Sequence, residues 1–217
     1  MDLRINRTVM NIKRNILTFS LSLIYLMMIS TLASATNSTG RGEIIIIPGL
    51  GFTDTTAIAP AGGNYHTTIG EQRLAVFERA AFIWTNILDL DFDIRVDAKF
   101  TALTCETNSA TLGSAGPSRV IKIDDIWYAT AQGNTLAGYD TSGSYNDISM
   151  SFNSSIDDGC YSGAPNGWYY GFDNNPDAGK NTLLDVALHE IAHGLGFLNF
   201  VSSNGTIFNS YPDAYSR

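Results

Sequence analysis

Cysteine is scarce, with only Cys105 and Cys160 in 217 residues. A fold held by many crosslinks is therefore excluded, and no CxxC spacing occurs. Basic clusters are missing beyond the first 14 residues, where 13 Lys and Arg face 21 Asp and Glu over the chain, so there is no electrostatic footprint for phosphate backbones. Nucleic acid is excluded as a partner. The chain also lacks repeats, long linkers and any apolar run after the first 35 residues that is long enough to cross a membrane. What it has is 44% hydrophobic and 11% aromatic residues against 16% charged, the make-up of one packed globular domain.

Residues 1 to 35 read as an export signal. Arg4, Arg7, Lys13 and Arg14 form a basic n-region, Ile16 to Ile29 is apolar, and Ala33-Ser34-Ala35 offers the small residues that precede cleavage. An uncleaved anchor is the alternative, but Thr18, Ser20 and Ser22 interrupt the run, and Met10 is a second candidate start. The mature chain from residue 36 then carries 9 basic and 20 acidic residues, a formal net charge of −11. It is expected to be secreted, extracellular or periplasmic, with no stable membrane association after cleavage, and monomeric. In an oxidising compartment the simplest reading of Cys105 and Cys160 is a disulfide, with two buried thiols as the alternative.

Glu43 to Ile47 is β-branched and stops at Pro48-Gly49, as a short buried strand does. Thr68-Ile-Gly-Glu71 has the form of a capping box, and Leu74, Phe77, Ala80, Ala81, Trp84 and Leu88 recur at helical spacing, predicting a helix from Gly70 to Leu88. Phe92, Ile94, Val96, Ala98 and Phe100 alternate with charged residues, the period of a strand with one buried face. Asp147 to Asn153 alternates in the same way, and Arg119 to Asp124 is a further strand candidate. Strand, helix, strands and a final helix make an α+β domain.

The final helix carries the chemistry. Asn181 or Thr182 can cap it, and Leu183, Leu184, Ala187, Leu188, Ile191, Ala192 and Leu195 make it broadly apolar, so it is expected to be deeply buried. His189 and His193, four apart, share one face and suit convergence on one tetrahedral zinc ion, while the adjacent Glu190 can reach water there as general base. The alternative is a pair of satisfied core histidines with a surface acid. With 3 His and 5 Glu in the chain, this pattern arises by chance in roughly one such sequence in a thousand, which favours the metal site.

From His189 to Gly196, His-Glu-Ile-Ala-His-Gly-Leu-Gly resembles the HExxHxxG core of the metzincin clan of zinc endopeptidases. A first strand, a helix carrying a tryptophan, a second strand and an Asp147–Phe152 edge strand precede it in the order of the clan's amino-terminal subdomain. The resemblance implies a metzincin-like α+β fold: a mixed twisted sheet with an amphipathic helix and a buried zinc-binding helix, residues 36–217 being the catalytic domain. It further implies Zn2+ held by His189 and His193, a third ligand at the position of Asn199, catalysis by Glu190, and a protein or peptide substrate extended beside the edge strand.

Two departures stand out. Asn199 is a neutral amide, a poorer zinc ligand than imidazole, and no methionine follows Met150, so the clan's Met-turn is missing. With only 21 residues after Gly196, a fragment lacking its carboxy-terminal subdomain would explain the missing Met-turn. Asp213, or a residue beyond Arg217, is then an alternative third ligand. A secreted binding or adhesive domain that kept the zinc helix without turnover is the rival function, and a zinc amidase a third.

Weaker signals remain. Asp173 to Gly179 resembles a calcium loop in its oxygen donors, making Ca2+ a second metal candidate, although its glycine is one place late and a solvated turn is the alternative. Tyr211 or Tyr215 could steady an intermediate, as a downstream tyrosine does in some metzincins. His66 reads as an exposed loop residue. Asn37, Asn153 and Asn204 lie in glycosylation sequons.

Overall fold

The computed structural model describes residues 41–216, so the export-signal reading and Asn37 lie outside the described residues. The chain is α+β. Strand β1 (Ile44–Pro48) leads through helix α1 (Ile69–Ile87) to β2 (Ile94–Thr101). Short strands β3 (Cys105–Glu106) and β4 (Ser109–Ala110) precede β5 (Gly113–Pro117), β6 (Val120–Ile123) and β7 (Ile126–Ala129). Helix α2 (Thr130–Ala137), β8 (Ile148–Asn153), β9 (Trp168–Tyr169), β10 (Asn181–Thr182) and helix α3 (Leu183–Leu195) complete it.

The main sheet runs in the order β1-β2-β8-β5. Its first three strands are parallel, and β5 closes it antiparallel to β8, with Ala115 opposite Met150. The predicted alternation holds. Ile94, Val96, Ala98 and Phe100 of β2 and Ile148, Met150 and Phe152 of β8 are buried, whereas Lys99 and Ser149 are exposed. Phe77 of α1 meets Phe152 edge-on at 4.7 Å between centroids, and the backbone at Gly194 of α3 lies against Ile148. Ile148 and Phe152 share a face by parity, so both helices cover the same side of the sheet.

Helix α1 begins one residue from its predicted start, and its cap is the predicted one. Thr68 Oγ1 accepts from the Glu71 N–H at 3.3 Å and donates to Glu71 Oε2 at 2.8 Å.

Three expectations change. Strand β1 is an edge, not a buried strand: Ile45 and Ile47 are 36% and 38% exposed, and only Ile44 is buried. Residues 147–152 are not an edge either, because β8 lies between β2 and β5. The edge is β5, whose Gly-Ser-Ala-Gly-Pro has no β-branched residue and gives no sequence signal. Asn153 is fully buried, so its sequon is closed to a glycan. Its Nδ2 donates to Thr111 O at 2.9 Å and its Oδ1 accepts from Leu103 N–H, which fixes the approach to β5.

The Arg119–Asp124 candidate is real as β6, paired antiparallel with β7. Asp124 and Asp125 form its tight turn at φ 48° and 61°, positive values that two-residue hairpins require. Among the described residues, no helix is long and apolar enough to cross a membrane.

Cys105 and Cys160 form a disulfide, with Cα atoms 6.1 Å apart across 55 residues of sequence. It ties the β3–β4 hairpin to the loop after β8, reinforced by Ser162 N–H donating to Thr107 O at 2.8 Å. Chain-entropy reasoning for a loop of this length gives about 4 kcal/mol, at the upper end of the ~2 to 4 kcal/mol typical of disulfides. Thiol titration of the unfolded, non-reduced protein is expected to find no free thiol, and reduction is expected to lower Tm; two titratable thiols would refute the bridge.

Candidate functional site

Helix α3 is positioned from three directions. Its N-terminal half lies on β5, where a Cβ on Gly113 would approach Glu190 Cγ at 3.0 Å and Val186 Cγ1 at 3.3 Å. Its last turn lies on β8, where a Cβ on Gly194 would meet the Ile148 side chain at 2.3 Å, so only glycine admits this approach. From the side, Trp84 Nε1 of α1 donates to Leu188 O at 3.1 Å. Leu183, Leu184, Ala187, Ile191 and Leu195 are buried, as their pattern predicted. Gly196 stops the helix at φ 111°, its N–H returning to Ala192 O and His193 O.

That stop matters for the histidines. The chain beyond Gly196 brings Phe197 O to 2.8 Å from His193 Nδ1. A carbonyl can only accept, so Nδ1 carries the proton and Nε2 presents its lone pair. This Nε2 stands 3.0 Å from His189 Nε2, the rings perpendicular. Two nitrogens bound to one tetrahedral zinc ion at ~2.0 to 2.1 Å would stand roughly 3.3 to 3.4 Å apart, so the pair suits a shared metal ion.

Glu190 projects from the adjacent position and is 7% exposed. Burial pushes its carboxyl above the ordinary value, while the His193 and His189 imidazoles and the Ala115 N–H of β5 pull it back. His189 and Glu190, with Asp185 and Val186, form one wall of a cleft of about 370 Å³; Thr111, Leu112 and Gly113 form the other. The sequence pattern identified the trio. The contributions of Leu112, Gly113 and Ala115 carried no signal, because nothing in their own segment marks a strand.

The third ligand is a different matter. Among the described residues, no group of three His, Cys, Asp or Glu side chains is placed to hold a metal. Asn199 lies exposed just past the helix, its Oδ1 accepting from Val201 N–H at 3.2 Å. Asp213, the carboxylate alternative, is committed elsewhere: one oxygen accepts from Phe200 N–H and the other from Tyr215 and Ser216 N–H. Tyr211 lies under Lys122, its ring 3.6 Å from Nζ, and Tyr215 is 56% exposed.

The carboxylates of the Asp173–Gly179 segment are partnered by residues flanking it. Asp173 Oδ1 accepts from Tyr169 O–H at 2.6 Å, which pushes the Tyr169 hydroxyl up to about 12 and holds Asp173 below its ordinary value. Asp177 pairs with Lys180 at 3.5 Å. A turn is the reading this geometry supports. His66 is exposed, as expected.

Compared with known proteins, the chain matches no family model, no curated protein and no solved structure.

Asp213 yields a testable consequence. Burial raises its carboxyl, but the N–H donors of Phe200, Tyr215 and Ser216 outweigh burial and leave it below the ordinary value. Folding thus favours the ionised form, and the stabilisation is complete above about pH 4 and lost as pH falls through the lower folded value. Asp213→Asn is expected to speed amide exchange at Phe200, Tyr215 and Ser216 about tenfold or more at neutral pH. Unchanged exchange would show that Asp213 does not anchor this segment.

Proposed function

We propose that the protein is a secreted zinc-dependent metallopeptidase of metzincin-like fold, cutting peptide bonds in the cleft between α3 and β5. The observation that carries this reading is the convergence of His189 and His193 Nε2, 3.0 Å apart, beside a buried carboxylate in an open cleft. Secretion is supported by the amino-terminal signal pattern and by the Cys105–Cys160 disulfide.

His189 and His193 would hold the metal, with Asn199 as the chain's own third-ligand candidate. When bound there, Zn2+ supplies Lewis acidity toward the scissile carbonyl and toward water. The chain's groups do the rest. The Phe197 carbonyl fixes the His193 tautomer and ring, keeping the lone pair aimed at the shared point. Glu190 takes the proton of the attacking water and delivers it to the departing amine, a role suited to a carboxyl raised by burial. Among the described residues β5 pairs in the main sheet only with β8, so its outer edge offers main-chain groups to an extended peptide. Leu112 and Val186 line the same cleft with apolar surface.

One observation favours a second reading. With no third His, Cys, Asp or Glu beside the pair among the described residues, a binding domain that kept the helix without turnover fits the same residues.

Glu190→Gln separates the two. It is expected to retain zinc uptake and fold while turnover of casein or a quenched peptide falls by roughly 10² to 10⁴-fold, whereas His189→Ala loses zinc and activity together. Equal cleavage by wild type and Glu190→Gln would remove Glu190 from the chemistry. An inert wild type that still takes up zinc would favour the binding domain.

A further inference from the structure

The cleft contains one charge that the proposed chemistry does not use. Asp185 lies four residues before His189, so the two side chains share a face of α3 one turn apart, about 6 Å along the axis. Its side chain is exposed, it lines the cleft with Leu112, Val186 and Gly113, and among the described residues no basic side chain pairs with it. A helix-end acid that only complements the macrodipole has no need to face a cleft. Here the carboxylate stands within reach of whatever enters beside His189 and Glu190.

We propose that Asp185 determines specificity in this cleft and selects a lysine or arginine side chain next to the scissile bond. The inference rests on the peptidase reading and names the substrate class for the same site. The lining fits such a side chain in two parts. Leu112 and Val186 offer apolar surface to a long aliphatic stem, and Asp185 receives the cationic head. An acidic side chain in the same place would face Asp185 and Glu190 together, with no Lys or Arg in the lining to offset them. A neutral apolar side chain would fill the cleft and leave Asp185 unpaired. The net charge of −11 from residue 36 onward also draws cationic peptides toward the surface.

The test uses the full mature chain with added zinc and quenched peptides that differ only in having Lys, Leu or Glu beside the scissile bond. Cleavage and peptide binding, by fluorescence anisotropy, are both measured. The wild type is expected to prefer Lys over Leu by about five- to tenfold in kcat/KM and in binding. Asp185→Asn is expected to bring that ratio close to one, Asp185→Glu to restore it, and Asp185→Lys to reverse it in favour of Glu; circular dichroism verifies each fold. Cleavage with the same Lys preference in Asp185→Asn as in wild type, or no Lys preference in wild type, overturns the Asp185 assignment and leaves the peptidase reading standing. Asp185-dependent binding of the Lys peptide without cleavage overturns the peptidase reading and keeps the assignment.

Discussion

The close approach of helix α3 to the sheet is the constraint on which the rest depends. It requires two missing side chains. Gly194 leaves the space that Ile148 occupies, and Gly113 leaves the space that Glu190 and Val186 occupy. A glycine inside a helix costs about 1 kcal/mol relative to alanine, and the tight contact with Ile148 offsets that cost. The same approach fixes the depth of Glu190 against β5. Because Gly196 then ends the helix, Phe197 O comes back over His193.

An ionisable trio on so apolar a helix is expensive unless each member has a partner. The partners divide the work. His193 is held through Phe197 O, His189 faces it through Nε2, and the Glu190 carboxyl is buried next to His189 in the sequence. Among the described residues no partner closes the remaining side toward the cleft, where His189 is exposed. By contrast, Asp213 is fully satisfied by backbone N–H groups, which is the mark of a structural carboxylate.

Much of this was legible in the residues, for a physical reason. Periods of 3.6 and 2 are imposed by burial, so α1, β2, β8 and α3 announced themselves through Phe77, Val96, Met150 and Ile191. The Thr68 cap was legible because capping is local chemistry. What escaped was non-local. Strand β5 exists only through its pairing with β8, and a Gly-Ser-Ala-Gly-Pro segment has no propensity to declare it. The misplacement of the edge follows directly, since β8 alternates as a one-sided strand whether or not a neighbour lies beyond it. Helix α2 escaped for a similar reason, with a glycine at its centre and no apolar stripe. At the site the trio was readable from spacing alone, whereas the commitment of Asp213 to backbone donors depends on a fold-back that no spacing encodes.

The most direct measurement is X-ray absorption at the zinc edge of the purified chain loaded with one equivalent of zinc. The expected spectrum shows two imidazole nitrogens at about 2.0 to 2.1 Å with the remaining donors oxygen or nitrogen, and one imidazole fewer in His193→Ala. A spectrum with no imidazole scattering, or with zinc in a hexa-aquo shell, would contradict a metal site on α3.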